Sequence, residues 1–472
     1  MSHVLVLGAG PVGLVTAMLL AGDGHRVTVV DRDPAGLRDE ASARGGAWKR
    51  PGVAQFGHTH ILMPGGYQLL ARELPGAIDR LLAAGGRRHN MIGGAWGLGA
   101  VGLRQDDDVR FETIAARRPV LEAVLFAEAA QTPGITLRTG EQVTGLATGN
   151  SHTIGRHHIT GVTTKAGQTI DADLVVDVTG RSTQIPTLLA DLGVSLVQEN
   201  AAAGFRYYTR YFRSADGTLP RQPSWPVFHY NSVSAITAPG DNGTWSLTLV
   251  TSGRDQELRA LKDPEVWGRV AAQYPDVAHW AVGEPLTGVN VVGGTESRRR
   301  TYVHDGRPVV TGLVAIGDAW ATTNPQYGMG MTMGIRHSVL LRDTLRTYTT
   351  DNPVDLALEL HDATEKHLAP VWEGSQGWDT HRLAEIDAEI GGEAYATHDD
   401  DWNLRAMIDA VRLQDGDLLR GYAEVGSMLA TPDEALAQRG LIQRVVELGL
   451  GGPRYAHVGP NRAQLLDSLY AG

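Results

Sequence analysis

Residues 4–31 read VLVLGAGPVGLVTAMLLAGDGHRVTVVD, and they contain a strand, a glycine-rich turn, a helix and a second strand in one short unit. Gly8, Gly10 and Gly13 have the spacing G-x-G-x-x-G, which permits a tight turn, close approach of a pyrophosphate to the backbone, and close packing of helix on strand. Asp31 ends the second strand, where a carboxylate accepts hydrogen bonds from a ribose diol. The segment therefore predicts a βαβ unit that binds a dinucleotide, with the phosphates at the helix N-terminus.

Residues 313–334, LVAIGDAWATTNPQYGMGMTMG, have a similar organisation far downstream. A short apolar strand ends at Gly317-Asp318, where a carboxylate can accept from a sugar hydroxyl. Gly328 and Gly330 then precede a helix, so that a helix N-terminus can face an electron-rich ring edge. Taken alone, the segment could equally cap a core strand and break a helix. Together with the first motif it favours a flavin dinucleotide, which is long enough to contact both, over a nicotinamide dinucleotide.

Composition narrows the class of protein. The chain has 472 residues, a formal net charge of −11 and no cysteine. Its length fits roughly three domains, and the charge argues against a nucleic-acid partner or an anionic membrane surface. The lack of cysteine excludes disulfides, thiolate metal sites and thiol nucleophiles, which fits a reducing cytosol. No apolar run approaches 18 residues, so we expect a cytoplasmic protein without stable membrane insertion.

Two blocks of the chain have the alternating pattern of β-strands. Residues 135–178 predict an inserted β-meander that returns to the main sheet, and residues 203–298 predict an antiparallel sheet that forms one wall of a substrate pocket. Because side chains alternate between faces, about half of the aromatic rings in this wall should face away from the pocket. Beyond about residue 345 the apolar spacing becomes helical. The aromatic residues of the predicted wall are Tyr207, Tyr208, Tyr211, Phe212, Phe228 and Tyr230.

These motifs resemble those of flavin-dependent monooxygenases of the p-hydroxybenzoate hydroxylase fold. The resemblance rests on GAGPVG with Asp31, on DLVVDVTGRS at 173–182, and on GDA with NPQYGMG at 317–330. Within that fold the chain is similar to the actinobacterial branch that includes polyether epoxidases, through RPGVAQFGHTHIL at 50–62, ARRPVLEAVL at 116–125, and VTGRST followed by LLADLG. The C-terminal helical region has no motif that can be tied to chemistry.

The resemblance implies an α/β fold: a discontinuous Rossmann-like FAD-binding domain with an antiparallel-sheet substrate domain and a helical C-terminal region. The expected boundaries are 1–85, 115–195 and 299–345 for the FAD-binding domain, 86–114 and 196–298 for the substrate-binding β-sheet domain, and 346–472 for the helical C-terminal domain. The residues expected to bind FAD are Gly8, Gly10, Gly13, Asp31, Arg50, Arg118, Gly180, Gly317, Asp318, Pro325, Gly328, Gly330 and Met331.

The resemblance also indicates which residues border the flavin ring and which line the substrate pocket. Pro325 and the turn from Gly328 to Met331 would border the isoalloxazine ring, with backbone N–H groups placed to stabilise negative charge on the reduced flavin. No catalytic side chain is assigned, because the flavin carries the chemistry. The aromatic side chains expected to line the substrate pocket are Tyr208, Phe212, Phe228 and Tyr230.

One departure from the family pattern concerns the electron donor. The family's middle motif normally ends in Asp-Gly, whereas the matching pair here is Thr179-Gly180. In single-component hydroxylases that aspartate helps to dock NADPH, so its replacement puts direct use of NADPH in doubt. We therefore expect reducing equivalents from NAD(P)H, taken either directly or through a partner flavin reductase.

The segment around residue 55 contains further polar candidates. On resemblance alone, Arg50 or Gln55 is expected near the flavin or its loop. In a strand, His58 and His60 would point to one face, which suits a metal, a proton relay or packing near the cofactor. No acidic ligand is evident nearby, so structural histidines are the default and no metal is expected. Glu122 follows an arginine in a predicted helix, where a solvated or capping role is as good an interpretation as a functional one.

The function implied by the resemblance is oxygen insertion by an FAD-dependent monooxygenase. Reduced flavin adds O2 to form a C4a-hydroperoxide, which epoxidises or hydroxylates a lipophilic small molecule of secondary metabolism in a dry pocket.

Three alternatives remain open at this point. A flavin-dependent halogenase shares the fold, but the chain has no W-x-W-x-I-P segment, and Lys49 lacks the context of a halogenase lysine. A flavin-dependent reductase or dehydrogenase of an alkene-containing substrate is the more serious alternative, because the glycine motifs do not dictate oxygen reactivity. A non-catalytic, flavin-bound carrier of a lipophilic ligand is the third.

Overall fold

The structure is a computed structural model that describes residues 1–34, 43, 48, 50, 52–53, 55–151, 155–201, 204–294 and 296–470. In these residues the strands are β1 (His3–Leu7), β2 (Arg26–Asp31), β3 (Arg87–Asn90), β4 (Glu112–Ala115), β5 (Ile135–Thr139), β6 (Val143–Gly149), β7 (His157–Thr164), β8 (Thr169–Asp171), β9 (Leu174–Asp177), β10 (Val197–Ala201), β11 (Phe205–Arg213), β12 (Val227–His229), β13 (Val233–Pro239), β14 (Thr244–Ser252), β15 (Glu284–Pro285), β16 (Asn290–Gly293), β17 (Ser297–Thr301), β18 (Val303–His304), β19 (Arg307–Pro308), β20 (Val310–Thr311), β21 (Leu313–Ala315) and β22 (Ala321–Thr322). The α-helices are α1 (Pro11–Gly22), α2 (Pro64–Glu73), α3 (Pro75–Ala83), α4 (Arg118–Gln131), α5 (Ile185–Asp191), α6 (Pro264–Ala271), α7 (Met329–Thr347), α8 (Pro353–His367), α9 (Ala369–Ile390), α10 (Asp400–Val411), α11 (Gly416–Gly426), α12 (Leu441–Gly449) and α13 (Arg462–Tyr470).

A parallel sheet with the strand order β21-β9-β1-β2-β5 forms the centre of the fold. Strands β1, β9 and β21 are nearly continuous apolar runs because both faces of the sheet are covered, with α1, α4 and α7 packed on one face. The central strand β1 pairs in parallel with β2 and with β9, so the glycine turn that follows Leu7 lies at the carboxyl edge of the sheet. In open α/β sheets this edge is where ligands bind.

The predicted β-meander is present between β5 and β9. Strands β6, β7 and β8 pair in an antiparallel manner, and β20 joins β7 in parallel. The chain then returns to the central sheet through β9, and β21 is added beside β9 much later in the sequence. The parallel sheet is therefore assembled from segments that are far apart in the chain.

The antiparallel sheet consists of β12, β13, β14, β11 and β15 in that order, with β16 also paired to β11. Strand β11 is paired along its whole length with β14, from Phe205 opposite Ser252 to Arg213 opposite Thr244. One face of this sheet packs with α6 and α13, and the other faces the central region of the molecule.

Residues after about 345 are helical, as the spacing of apolar residues predicts, and comprise α8 to α13. The whole arrangement confirms the predicted fold class, in which a parallel Rossmann-like core carries an antiparallel sheet and C-terminal helices. Among the helices described, none is both long enough and apolar enough to cross a membrane.

Candidate active site

A cavity of about 700 Å³ begins at the carboxyl edge of the parallel sheet and reaches the antiparallel sheet. It is lined by both glycine motifs, although they lie about 300 residues apart in the sequence. The predicted FAD-binding residues that line it are Gly8, Gly10, Asp31, Arg50, Arg118, Gly180, Asp318, Pro325, Gly328, Gly330 and Met331. Two predicted residues do not line it: a Cβ on Gly13 would meet the backbone of Gly8, and a Cβ on Gly317 would meet the side chain of Val12.

The glycines of the first motif have distinct surroundings. A Cβ on Gly13 would lie 2.0 Å from the carbonyl oxygen of Gly8, so this position holds α1 close to the turn. Gly8 has a φ of +104°, and a Cβ there would meet a backbone carbonyl at 2.7 Å. A Cβ on Gly10 would meet no protein atom within 4 Å. The space in front of Gly10 is part of the cavity, as expected where a phosphate approaches the backbone.

A buried arginine is held among three carboxylates at the nucleotide end. Arg50 pairs with Asp31 at 3.2 Å, with Asp33 at 2.7 Å and with Glu122 at 2.7 Å. Burial alone would lower the pKa of Arg50, but the charges of Glu122 and Asp31 outweigh that effect and raise it. Asp31 also accepts a hydrogen bond from the backbone N–H of Ala9 at 2.6 Å. The carboxylate at the end of β2 is thereby tied to the glycine turn.

The second motif forms the opposite end of the cavity. Gly328 adopts a left-handed conformation with a φ of +65° and caps α7, which begins at Met329. This turn places Gly330 and Met331 in the first turn of the helix, against the cavity. Asp318 also lines the cavity, and burial raises the pKa of its carboxyl group, while the charges of Arg181 and Arg118 oppose that rise.

The two histidines of the 50–62 segment both lie at the cavity and form different contacts. His60 donates through Nδ1 to the backbone carbonyl of His58 at 2.8 Å, which leaves its Nε2 to accept from Arg118 at 3.0 Å. Burial, followed by the charge of Arg118, lowers the pKa of His60 to about 3, and burial lowers that of His58 to about 4. Both rings are neutral at pH 7. Gln55 also lines the cavity.

His58 begins a chain of hydroxyl groups along the antiparallel sheet. Its Nδ1 lies 3.0 Å from the hydroxyl of Thr209, which lies 2.8 Å from that of Thr248. Thr59 bridges Thr248 at 2.9 Å and Ser246 at 2.7 Å. This part of the wall is polar and uncharged. Across the described ranges, no group of three or more histidine, aspartate or glutamate side chains could hold a metal ion.

The structure corrects the expected aromatic wall. Tyr208, Phe212, Phe228 and Tyr230 pack against α6 and α13 on the sheet face that points away from the cavity. The cavity face of β11 carries the alternate residues, and of these Tyr207 and Thr209 line the cavity. The aromatic side chains were expected on the wrong face because the sequence pattern shows that side chains alternate between two faces of a strand, but it does not show which face covers the cavity.

A second group of residues at the site has no signal in the sequence. Asp379 of α9 accepts hydrogen bonds from Asn324 at 2.7 Å and from Tyr327 at 3.0 Å, both in the loop before α7. The hydroxyl of Tyr207 donates to Asn324. The helical C-terminal region thus contacts the loop that borders the cavity, which its helical spacing alone could not indicate.

The loop at Thr179-Gly180 is held by an aspartate two residues earlier. Asp177 accepts from the backbone N–H of Thr179 at 3.0 Å, from its hydroxyl at 2.6 Å, and from the hydroxyl of Thr183 at 2.6 Å. Burial raises the pKa of the Asp177 carboxyl group. Arg181 follows this loop and lines the cavity. Lys49 lies outside the described residues.

These features fit an FAD molecule bound along the cavity. The open space at Gly10, the carboxylate of Asp31 and the N-terminus of α1 suit the ADP half. The N-terminus of α7 and its neighbouring loop suit the other end.

Comparisons with known proteins agree with this geometry. The family described as FAD dependent oxidoreductase matches residues 3–101. Protein Rv3254 of Mycobacterium tuberculosis is 30% identical over 395 residues, which cover 78% of each chain. PqsL, described as a probable FAD-dependent monooxygenase from Pseudomonas aeruginosa, superimposes with a TM-score of 0.59 at 17% identity, over 82% of this chain and 99% of that one. CmlS, a flavin-dependent halogenase, has a TM-score of 0.56 at 16% identity, over 99% of this chain and 76% of that one.

The fold and the site define an FAD-dependent oxidoreductase. Within that class, the chain belongs to the family of Protein Rv3254.

Proposed function

We propose that this chain is an FAD-dependent monooxygenase that inserts one oxygen atom from O2 into a lipophilic small molecule, by epoxidation or hydroxylation. The observation that carries the proposal is the end of the cavity between the second glycine motif and the antiparallel sheet. Its lining there combines apolar Ile61, Ile236 and Val292 with uncharged polar groups, which are the neutral imidazole of His58 and the hydroxyls of Thr59, Thr209 and Thr248. Such a lining suits an uncharged, largely apolar ligand.

The protein's own residues would supply binding, orientation and exclusion of water. Bound FAD would supply the redox chemistry that activates O2. The backbone N–H groups at the start of α7, near Gly330 and Met331, are placed to stabilise negative charge at that end of the cavity. The neutral His60, tied to Arg118, keeps the arginine side chain in place on the cavity wall.

The boundaries of the three regions follow from the same proposal. Residues 1–85, 115–195 and 299–345 would bind FAD, residues 86–114 and 196–298 would form the substrate side, and residues 346–472 would support the site from behind. PqsL gives a precedent for a small-molecule ligand, since it has been crystallised with 2-aminobenzoylacetate. The similarity to polyether epoxidases supports a substrate from secondary metabolism.

Isotope labelling tests the proposal. Protein loaded with FAD and reduced without oxygen is mixed with ¹⁸O2 and a panel of lipophilic alkenes and phenols, and the products are analysed by mass spectrometry. We expect a product that carries one ¹⁸O atom. A saturated or desaturated product without label would support the reductase or dehydrogenase alternative instead, and ligand binding without turnover would support the carrier.

The electron donor needs a separate experiment. We propose that NAD(P)H reduces the flavin through a partner flavin reductase, because Thr179 replaces the family's aspartate and is bonded to Asp177. Mixing the FAD-loaded protein with NADPH anaerobically should give slow bleaching of the flavin, and added flavin reductase with free flavin should restore activity. Rapid bleaching by NADPH alone would show direct use of the nucleotide.

A further inference from the structure

Helix α9 places a carboxylate behind the loop that borders the cavity. Asp379 is 6% exposed, and its Oδ1 accepts from the Nδ2 of Asn324 at 2.7 Å and from the hydroxyl of Tyr327 at 3.0 Å. Both donors belong to the segment between Asp318 and α7. A side chain more than fifty residues downstream therefore sets the position of this loop.

The hydrogen bonds around Asn324 determine which way its amide points. Its Oδ1 accepts from the backbone N–H of Gln326 at 2.9 Å, and a backbone N–H can only donate. The amide nitrogen must therefore face Asp379, whose oxygen accepts from it. With this orientation fixed, the hydroxyl of Tyr207 meets a carbonyl oxygen and must donate to it.

The donation to Asn324 commits the only hydrogen of the Tyr207 hydroxyl. Tyr207 is among the residues that line the cavity, so a ligand group that reaches its hydroxyl from the cavity must donate a hydrogen bond to it. Burial, followed by the negative charge of Asp379, raises the pKa of Tyr207 well above its usual value. The hydroxyl consequently keeps its proton at neutral pH.

We propose that Asp379 is a positioning residue for the active-site cavity: through Asn324 it orients the hydroxyl of Tyr207 as an acceptor, so that the cavity selects lipophilic ligands that carry a hydrogen-bond donor such as a hydroxyl group. This inference rests on the proposed function, because it assumes that the substrate occupies the space in front of Tyr207. It also assigns a task to the C-terminal helical region.

The surroundings of Asp379 are consistent with an acceptor role in either protonation state. Burial raises the pKa of Asp379 to about 7, against the hydrogen bonds from Asn324 and Tyr327 and the charge of Arg405 on α10. The oxygen that accepts both hydrogen bonds is Oδ1, so a proton carried by Oδ2 leaves these two contacts in place. A neutral amide at this position would keep the same acceptor.

Binding of a matched ligand pair to the FAD-loaded protein tests the proposal without any turnover. The pair is 1-naphthol, which has a donor, and 1-methoxynaphthalene, which does not. Dissociation constants are measured by calorimetry and by the shift of the flavin absorption spectrum. We expect the naphthol to bind about tenfold more tightly, the effect of one hydrogen bond.

Four variants separate positioning from general stability. Tyr207→Phe should make the two dissociation constants nearly equal, whereas Tyr208→Phe, which alters the opposite face of the same strand, should keep the tenfold ratio. Asp379→Asn should retain most of the ratio, because the amide oxygen can still accept from Asn324. Asp379→Leu should lose it while FAD stays bound.

Several outcomes would overturn the proposal. They are equal binding of the two ligands by the unaltered protein, binding of neither, an unchanged ratio in Tyr207→Phe, or equal loss of the ratio in Asp379→Asn and Asp379→Leu. The ¹⁸O experiment does not depend on this ratio. Labelled product together with equal binding would leave the monooxygenase proposal standing and refute the inference about Asp379.

Discussion

Gly10 and Gly13 belong to one sequence motif, yet the structure gives them separate tasks. The space beside Gly10 is open to the cavity, whereas Gly13 is in contact with the backbone of Gly8. The sequence predicts close packing at Gly13 and the approach of a pyrophosphate at Gly10, because the motif is local and each glycine's role follows from its place in the turn. Substitution by alanine can therefore distinguish cofactor binding from folding within a single turn.

We expect Gly13→Ala to destabilise the protein by about 1–3 kcal/mol or more, because its Cβ overpacks against a backbone carbonyl that cannot move aside. Gly10→Ala should leave the unfolding of the FAD-free protein nearly unchanged and weaken FAD binding at least about tenfold. Urea unfolding and titration with FAD measure the two effects. Equal destabilisation by both substitutions would contradict this division of roles.

The resemblance predicts that Arg50 lies near the flavin, but it does not indicate the carboxylates with which Arg50 pairs. Its three carboxylate contacts come from two separate segments, with Asp31 and Asp33 at the end of β2 and Glu122 in α4, and only tertiary structure brings them together. Arg50→Ala removes this cation from Asp31 and Asp33, while Glu122 keeps its ion pair with Arg118 at 2.6 Å. We expect a loss of about 3–5 kcal/mol in the free energy of unfolding at pH 7.

Urea unfolding at pH 7 checks this expectation. The matched control is Arg346→Ala, which removes a bidentate but exposed pair with Asp23 and should cost much less, because solvent screens that pair. If both substitutions lowered the free energy of unfolding equally at pH 7, the buried ion pairs of Arg50 would contribute no more to stability than an exposed pair does.

At the scale of single elements, strand β11 shows how far sequence reasoning reaches. The alternating pattern of FRYYTRYFR predicted a strand in an antiparallel sheet, and the structure contains it. The side of the sheet that meets the cavity depends on packing with α6 and α13, and these helices are remote in the sequence. The alternating pattern does not show which face of β11 meets the cavity. It therefore cannot distinguish the face of Tyr208 and Phe212 from the face of Tyr207 and Thr209.

Substitutions on the two faces of β11 should have different consequences. Phe212 packs with Trp245 and Trp267, so Phe212→Ala should cost about 3–5 kcal/mol in the free energy of unfolding. The affinity of the folded protein for FAD should not change. Tyr207→Phe should leave stability within about 1 kcal/mol. Thermal unfolding and FAD titration provide the comparison, and weakened FAD binding in Phe212→Ala would argue that this face also contributes to the site.

At the scale of the whole molecule, burial of histidine makes stability depend on pH. Several histidine side chains are buried in the folded protein, and burial lowers the pKa of each from about 6.5 to between about 3 and 4. The unfolded chain binds more protons than the folded protein in this pH range. The stability that these histidines contribute is therefore fully present above pH 6.5 and is lost as the pH falls toward 4. The histidines concerned are His58, His60, His89, His229 and His337.

We expect the free energy of unfolding to fall between pH 7 and pH 5, by roughly 1–2 kcal/mol for each of these histidines. Asp177, Asp318 and Asp379 act in the opposite direction, because burial raises the pKa of their carboxyl groups. Urea unfolding at several pH values measures the balance. In His337→Gln the fall in the free energy of unfolding between pH 7 and pH 5 should be smaller by the contribution of one histidine. An unchanged fall would contradict this account.

The order of strands in the parallel sheet also has a consequence for how the chain folds. Strand β21 pairs with β9 across an interval of more than 130 residues, and the two ends of the cavity belong to segments that are separated even further. Contacts of such long range slow folding, because a large loop must close before they form. Until β21 docks, β9 is an uncovered edge on which chains can associate. Free FAD during refolding should therefore raise the yield of native protein, since a ligand that bridges both motifs stabilises only the closed arrangement.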